Sequence, residues 1–378
     1  MVSIWEQEAF FATQDVIIIG GGFAGLWSAF YIKKKNPGAK ITVLDKSPTP
    51  AGASTRNAGF ACFGSLSELM YDAKTMGVDK MLELVTMRYK GLQRIQKHFG
   101  KGIDFDLCGG YEIFYEPTQY TSNELESSAR YLNALLKPVT GKRNTFLLAD
   151  EDLLKFGFST AKHMVKNNLE GYLHSGKLVQ QLLHKIQGMG VQVFNGVEVK
   201  SFERRSGLMH LETTQQRSFS ASQLLICTNA FATDLLPQAH VTPARGQVLV
   251  TSPIKNLPFN GTFHSEEGFY YFRNLGSRVL LGGGRNKAFA EEETVDQNTS
   301  PFIQEELERY LAEIVLPTCK EPYTIEYRWA GIMGMGADKI PVVKKAEPGV
   351  FYAIGLGGMG VALAPVLGEK AAKLLLEH

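Results

Sequence analysis

Apolar positions along this chain change period several times, and the order of those changes predicts its layout. Residues 15–20 contain the unbroken apolar run 16–19, residues 24–35 continue at helical spacing, and residues 40–45 are rich in β-branched side chains. These periods predict a buried strand, a helix and a second strand, a βαβ opening. Val78, Leu82, Val85, Tyr89, Leu92 and Phe99 then recur at helical spacing, which predicts one long amphipathic helix over residues 78–99 whose stripe is core. Residues 111–116 read as a strand, 121–136 as a helix, and 137–165 as a polar, irregular stretch. A second αβ unit follows, with a helix over 177–187, stop signals at Gly188 and Gly190, and a strand over 191–194.

Short strands follow between residues 197 and 227, and strands return at 247–251, 269–272 and 279–281. An amphipathic helix spans 300–314. The last thirty or so residues alternate again, with a strand at 350–354, a glycine cluster and a helix over 361–376. The pattern predicts an α/β domain assembled from the first, middle and last parts of the chain and interrupted twice by a mixed α+β domain. Its expected boundaries are 1–75, 165–235 and 325–378 for the first domain, and 76–164 and 236–324 for the second.

Length and composition agree with two globular domains: 378 residues, 44% hydrophobic and 21% charged. Forty basic against 38 acidic residues give a formal charge of +2, and the basic residues are dispersed. Nucleic acid is therefore excluded as an expected partner, because binding it needs a concentrated basic face. Residues 16–32 carry no charge, but Gly20, Gly21, Gly22 and Gly25 interrupt them and Glu6, Glu8 and Asp15 precede them, so neither a membrane span nor an export signal is expected. Cys62, Cys108, Cys227 and Cys319 are widely separated, which predicts neither disulfides nor a zinc site and suits a reducing cytoplasm. The histidines show no HxH or HExxH spacing, and no metal is expected; His98, His163 and His174 read as surface or capping residues.

The strongest chemical signal is VIIIGGGFAGLWSAF, in which Gly20, Gly22 and Gly25 make GxGxxG between a strand and a helix. The first glycine permits the tight turn, the second lets backbone approach a pyrophosphate, and the third lets helix and strand pack closely. Asp45, at the end of the second strand, is placed to accept hydrogen bonds from a ribose diol. A turn used only for packing is the alternative. FAD and NAD both use such a turn, and the next segment, AGASTRNAGFACFG at residues 51–64, offers small side chains with Arg56 and Asn57 to a long ligand. A surface loop is its alternative.

With these pieces the chain resembles the flavin-dependent D-amino-acid oxidase family, which includes glycine oxidase and sarcosine oxidase. The matching pieces are GGGFAGL, Asp45, ASTRNAG, the helix and strand of 171–193, Val199, ICTNAF, PARGQ at 243–247, YYFRNLGSRVLLGGG, YRWAGI, the turn at 338–341 and GLGGMGVALAP. ASTRNAG, CTNAF and YYFR are most similar to the amine-oxidising branch that contains γ-glutamylputrescine oxidase. The resemblance implies a Rossmann-type FAD-binding domain with non-covalent FAD. It places Gly20, Gly22, Phe23, Ala24 and Gly25 at the pyrophosphate, Asp45 at the ribose, and Lys46 at the edge of the adenine site. Ala53, Ser54, Arg56, Asn57, Ala58 and Gly59 would line the pyrophosphate and ring. Val199 would meet the adenine, and Thr228, Asn229 and Ala230 would lie along the cofactor. Gly331 and Ile332 would lie near the ribityl chain. Gly358, Met359, Gly360 and Val361 would present amides to the pyrimidine end of the flavin, where the N-terminus of a helix favours negative charge.

Two departures bear on the substrate. Glycine-oxidase-like relatives carry an arginine for the substrate carboxylate where this chain has Met333, and a second arginine where it has Gly358; Lys344 replaces a family glycine after the 338–341 turn. Tyr270, Tyr271 and Arg273, in the strand over the flavin, are with Met333 the expected substrate-side residues, and Arg285 and Arg328 are further cations. Each also has an ordinary structural reading as packed tyrosine or solvated arginine. Arg245 reads equally as a structural pin between domains. Cys62 is more simply a small buried hydrophobe than a flavin attachment. The expected activity is oxidation of the CH–NH bond of an amine or amino acid to an imine by hydride transfer to flavin N5, with oxygen reoxidising the flavin to give hydrogen peroxide. The alternatives are a dehydrogenase of a hydroxy acid, polyol or amino acid that passes electrons to a quinone or protein carrier, and a flavin-binding subunit without turnover.

Overall fold

The computed structural model describes residues 2–116, 118 and 120–377. Its first sheet begins with the apolar strand Gln14–Ile19, flanked in parallel by Ile41–Asp45 and Ser218–Ile226. Gln192–Asn195 adds in parallel beyond Ile41–Asp45, and Val350–Ile354 beyond Ser218–Ile226. Val16–Ile19 are buried on both faces, which is why this strand reads as an unbroken apolar run. The antiparallel strands Val199–Arg205, Leu208–Thr213 and Val342–Glu347 complete the sheet.

Helices Phe23–Lys35, Val78–Phe99 and Gly360–Leu376 cover one face, and their contacts require glycine. A Cβ at Gly91 would lie 1.7 Å from the Ala362 carbonyl oxygen, and one at Gly368 would lie 2.6 Å from the Trp27 backbone. The second sheet is mixed, in the order 325–335, 242–251, 278–283, 270–275, 262–265, 110–115, 161–167 and 146–148. Its outer face packs Tyr111, Phe263 and Phe272, with Phe158 from the loop before Ala161–Asn167, against Ile303 and Leu307 of the helix Pro301–Tyr310.

Most predicted elements are present, and the helix Val78–Phe99 has the expected bounds. The irregular stretch 137–165 is corrected: it holds the strand Phe146–Leu148 and most of Ala161–Asn167. Polar residues obscure the strand in the sequence, yet His163 and Asn167 are buried within it beside Met164 and Val165, and His163 is paired with Asp150. The preceding helix runs through Pro138 to Thr140 and stops at Gly141, whose φ is 70°. Sheet membership also departs from the expected domain boundaries. Ile325–Met335, expected in the first domain, pairs along its length with Thr242–Thr251 of the second sheet. The helix Val78–Phe99, expected in the second domain, packs on the helices of the first. That pairing makes PARGQ part of a strand. Arg245 donates Nε and Nη2 to the Glu292 carboxylate at 2.9 and 2.7 Å and Nη1 to the Asn298 carbonyl at 2.8 Å, a buried structural pin.

Gly91→Ala forces the helix Gly360–Leu376 away from Val78–Phe99 and is expected to cost about 1–3 kcal/mol or more of stability by overpacking. Thermal unfolding of the variant checks this; an unchanged midpoint would show that the contact is not tight.

Candidate active site

Between the two sheets lies a cavity of about 530 Å³ whose wall starts at the glycine turn and ends under the second sheet. At the turn, Gly20 has φ 108°, and the Phe23 N–H at the start of its helix donates to Ser54 Oγ at 2.8 Å. Asp45 Oδ2 accepts from the Gly21 N–H at 2.7 Å and Oδ1 from the Ser47 N–H at 2.9 Å. A carboxylate has about four acceptor sites, so lone pairs remain for a ligand. Lys46 Nζ stands 4.0 Å over the Phe231 ring, and both residues line the cavity with Val199.

Ala53, Ser54, Arg56, Asn57 and Ala58 form the next part of the wall. Arg56 donates Nη1 to the Ala330 carbonyl at 3.0 Å and accepts from Trp329 Nε1 through its own carbonyl at 2.9 Å, which docks this segment on Gly331 and Ile332. Asn57 is fully spent, donating to the Ala53 and Ser54 carbonyls and accepting from the Gly59 N–H and from the Ser175 hydroxyl of a distant helix. Opposite, Thr228, Asn229 and Ala230 follow the strand Ser218–Ile226. Asn229 Oδ1 accepts from the Gly355 and Leu356 N–H groups at 3.0 and 3.3 Å, and so holds the loop that carries Gly358 and Met359 to the helix starting at Gly360. Gly360, Val361, Ala362 and Leu363, whose amides open that helix, all line the cavity.

Two expected cofactor residues stand behind the wall. A Cβ at Gly25 would lie 2.0 Å from the Gly20 carbonyl oxygen, so Gly25 serves the helix–strand approach. Gly59, with φ 72°, packs its Cα against the Leu173 carbonyl.

On the substrate side the structure separates residues that the sequence grouped. Tyr271 lines the cavity; its Oη lies 3.8 Å from where a Gly246 Cβ would be, and the Met333 methyl lies 3.2 Å from the same point. Tyr270 points through the other face of the strand, stacked 4.0 Å from the Tyr310 ring, with its hydroxyl donated to Glu306. Arg273 shares the Tyr271 face but is buried behind Gly59, 4.5 Å over the Tyr172 ring, and does not line the cavity. Tyr270 and Arg273 are therefore corrected from substrate contacts to packing residues. Arg328 pairs with Glu308 at 2.7 Å and Gln304 at 2.8 Å outside the cavity, whereas Arg285 lines it.

Sequence reasoning missed a charged cluster on the wall, Glu68, Arg88 and Lys339, and the neutral His264 near it. No motif marks these residues; they come from a helix, a second helix, a strand and a turn. Burial alone would raise the Glu68 carboxyl, but Arg88 at 3.2 Å and Lys339 at 3.0 Å hold it at about 2. Lys339 also reaches Asp72 at 2.8 Å. Burial pushes His264 down to about 4 and Tyr271 up to about 12, so both are neutral at pH 7. Cys62, beside Met359 at 4.0 Å, is raised by burial and stays a thiol. His163, expected at the surface, is buried with Nδ1 2.8 Å from Asp150; His174 caps a helix by accepting from the Lys177 N–H, as expected.

A cofactor is called for by the wall itself. Thr228 Oγ1 and His264 Nε2 are buried and lack a hydrogen-bond partner among the described residues. A glycine turn, a strand-end acid and a helix N-terminus aimed into one cavity fit a dinucleotide that carries a reducible ring. Residues 15–374 match the family model described as FAD dependent oxidoreductase, DAO. The chain belongs to the DAO family. It is an FAD-dependent oxidoreductase and an enzyme of that family. The chain is 26% identical over 96% of its length to a probable oxidoreductase, OrdL, from Rhizobium meliloti, covering 83% of that protein. It is 23% identical over 96% of its length to gamma-glutamylputrescine oxidoreductase from Escherichia coli, covering 84% of it. Among solved structures, glycine oxidase from Bacillus cereus superposes with a TM-score of 0.72 at 18% identity, over 97% of this chain and 95% of that one. The DAO fold is thus shared with a Rossmann-type FAD-binding domain interrupted by a mixed α+β domain. No helix among the described residues is long and apolar enough to cross a membrane.

Beside the cavity, Glu170 Oε1 accepts from the Phe63 and Gly64 N–H groups at 2.7 and 3.1 Å, and burial pushes its carboxyl up to about 8. A carboxyl raised above its ordinary value stabilises the fold fully below about pH 4.5, and that share is lost as pH rises through about 8. Glu170→Gln, which keeps the acceptor, is expected to flatten the decline in melting temperature between pH 5 and 9. Parallel curves for the two proteins would show that Glu170 is not the titrating group.

Proposed function

We propose that this DAO-family enzyme oxidises the CH–NH bond of an amine or amino acid to an imine, which water then hydrolyses. FAD, when bound, supplies the two-electron acceptor, with oxygen as its reoxidant and hydrogen peroxide as the product. The observation that carries this reading is the neutral wall of Tyr271, Met333, Phe60 and His264 that lines the cavity, with Phe60 against the Tyr271 and His264 rings. Against that wall a substrate amine sheds water, which disfavours its charged form and leaves the nitrogen lone pair free to assist loss of hydride from the adjacent carbon. Tyr271 Oη makes no hydrogen bond to any described residue and is free to orient the amine nitrogen. No ionised base is needed at the carbon, because both electrons leave with the hydrogen.

The rest of the wall would hold the cofactor. Asp45 would accept from the ribose hydroxyls, and the first-turn amides of Phe23 and Ala24 with Arg56 would bind the pyrophosphate. Thr228 Oγ1 would gain its missing partner. The helix N-terminus at 360–363 would favour negative charge on the pyrimidine end of the ring. Free Cys62, Cys108, Cys227 and Cys319 support a reducing cytoplasm as the site of action.

The purified protein is expected to be yellow and to release FAD in acid, with Asp45→Ala weakening FAD retention by about 1–3 kcal/mol. Equal retention by wild type and variant would remove Asp45 from the ribose site. Anaerobic mixing with primary and secondary amines is expected to bleach the flavin, and air to restore it with release of peroxide. Colour that air does not restore would point to another electron acceptor, and an amine panel that leaves the flavin oxidised would overturn the proposed chemistry. With Met333 at the family arginine position, glycine and sarcosine are expected to react more slowly than extended amines, and rapid reduction by either would refute this.

A further inference from the structure

We infer that Arg285 selects the substrate by binding a carboxylate held away from the CH–NH bond that reacts, an inference that rests on the amine-oxidising reading above. Five arginine or lysine side chains line the cavity among the described residues: Lys46, Arg56, Arg88, Arg285 and Lys339. Lys46 and Arg56 stand along the turn and loop proposed for the dinucleotide. Arg88 and Lys339 are already neutralised by Glu68 and Asp72. Arg285 alone of the five lies on the substrate side without a hydrogen bond, an ion pair or a proposed cofactor contact. Glu292 is the carboxylate whose charge reaches it, but both Glu292 oxygens are committed to Arg245 and Gln247.

The guanidinium is also held in place. Its centre lies 4.8 Å over the Phe289 ring, so one face is shielded and its edge is left for hydrogen bonding. The turn that carries it, entered through Gly283 and Gly284 with φ 131° and 75°, is tied to the neighbouring turn by the Gly284 N–H donating to the Phe269 carbonyl at 3.1 Å and by Asn286 Nδ2 donating to Glu266 at 3.0 Å. A half-buried, unpaired guanidinium on a pinned turn suits bidentate capture of a carboxylate.

Its place relative to Tyr271 sets the spacing. Tyr271 pairs with Gly282 in the adjacent strand, and the Arg285 charge acts on the Tyr271 phenol. The Tyr271 hydroxyl and the Met333 methyl both stand against Gly246. A carboxylate attached directly to the reacting carbon would face the Met333 thioether and lose water without a partner. One carried on a spacer that passes Tyr271 would reach Arg285. The fitting substrate class is therefore an amine with a remote carboxylate.

Matched straight-chain ω-aminocarboxylates and ω-aminoamides of four to six carbons test this on the FAD-loaded enzyme, with anaerobic flavin reduction as the readout. Wild type is expected to favour the acid over the amide by about 10- to 100-fold in kcat/KM. Arg285→Met is expected to abolish that preference through KM, and Arg285→Lys to keep part of it. Hexanoate, which cannot be oxidised, is expected to perturb the flavin absorbance and to bind at least about tenfold more weakly to Arg285→Met at equal FAD content. A preference unchanged in Arg285→Met, or absent from wild type, overturns the inference. If neither acid nor amide reduces the wild-type flavin while other amines do, the inference falls and the amine-oxidising reading stands; if no amine reduces it, that reading fails, and equal hexanoate binding by wild type and Arg285→Met would then refute Arg285 as an anion site as well.

Discussion

The contact between the helices Val78–Phe99 and Gly360–Leu376 at Gly91 sets where everything else in the site can be. A helix backbone passes so near the Ala362 carbonyl that no Cβ fits, and Gly368 repeats the arrangement against Trp27 on the third helix. Interiors packed at crystal density shift as units rather than continuously, so two such contacts fix the last helix in position and rotation. Its first-turn amides consequently open onto the cavity. Asn229 fixes the loop that feeds this helix by accepting from two of the loop's backbone N–H groups, which ties the helix start to the central sheet.

The cavity has two chemically different walls, and the difference comes from how charge is compensated. On one side Glu68, Arg88, Lys339 and Asp72 form an interlinked group in which each cation has a carboxylate within 3.2 Å. On the other, Met333 and Phe60 are apolar, Tyr271 offers one hydroxyl unpartnered among the described residues, and His264 is neutral. Buried ions persist where partners satisfy them, so the first wall acts as a scaffold. The second is where the proposed reaction would hold a partly desolvated amine. Arg245 and Glu292 stabilise the second sheet from behind that wall with the same pairing logic, well buried and bidentate.

Local signals in the chain sufficed for the cofactor half of the protein. GxGxxG needs only residues 14–45 to be interpreted, because the strand, turn and helix that give the glycines their meaning are contiguous. The long helix 78–99 was legible for the same reason, since one uninterrupted period spans it. Strand Ala161–Asn167 was not, because no single period runs through it: Lys162 is exposed, whereas His163 is buried and satisfied by Asp150 from a neighbouring turn. Glu68, Arg88, His264 and Lys339 left no trace in the sequence: their meeting depends on four elements far apart along the chain.

Sequence alone thus determined the alternating α/β order, the dinucleotide turn and the acid that follows it. Period two also required Tyr270 and Tyr271 to face opposite ways. Which of them faces the cavity depended on where the helix Pro301–Tyr310 covers the sheet, since Tyr310 claims Tyr270 by stacking. The same holds for the arginines. Arg273 and Arg285 are indistinguishable as letters, but burial behind Gly59 removes the first from the cavity, while the pinned turn after Gly284 leaves the second within it. A residue's type and spacing are local properties, whereas its access to a ligand is decided by what packs over it.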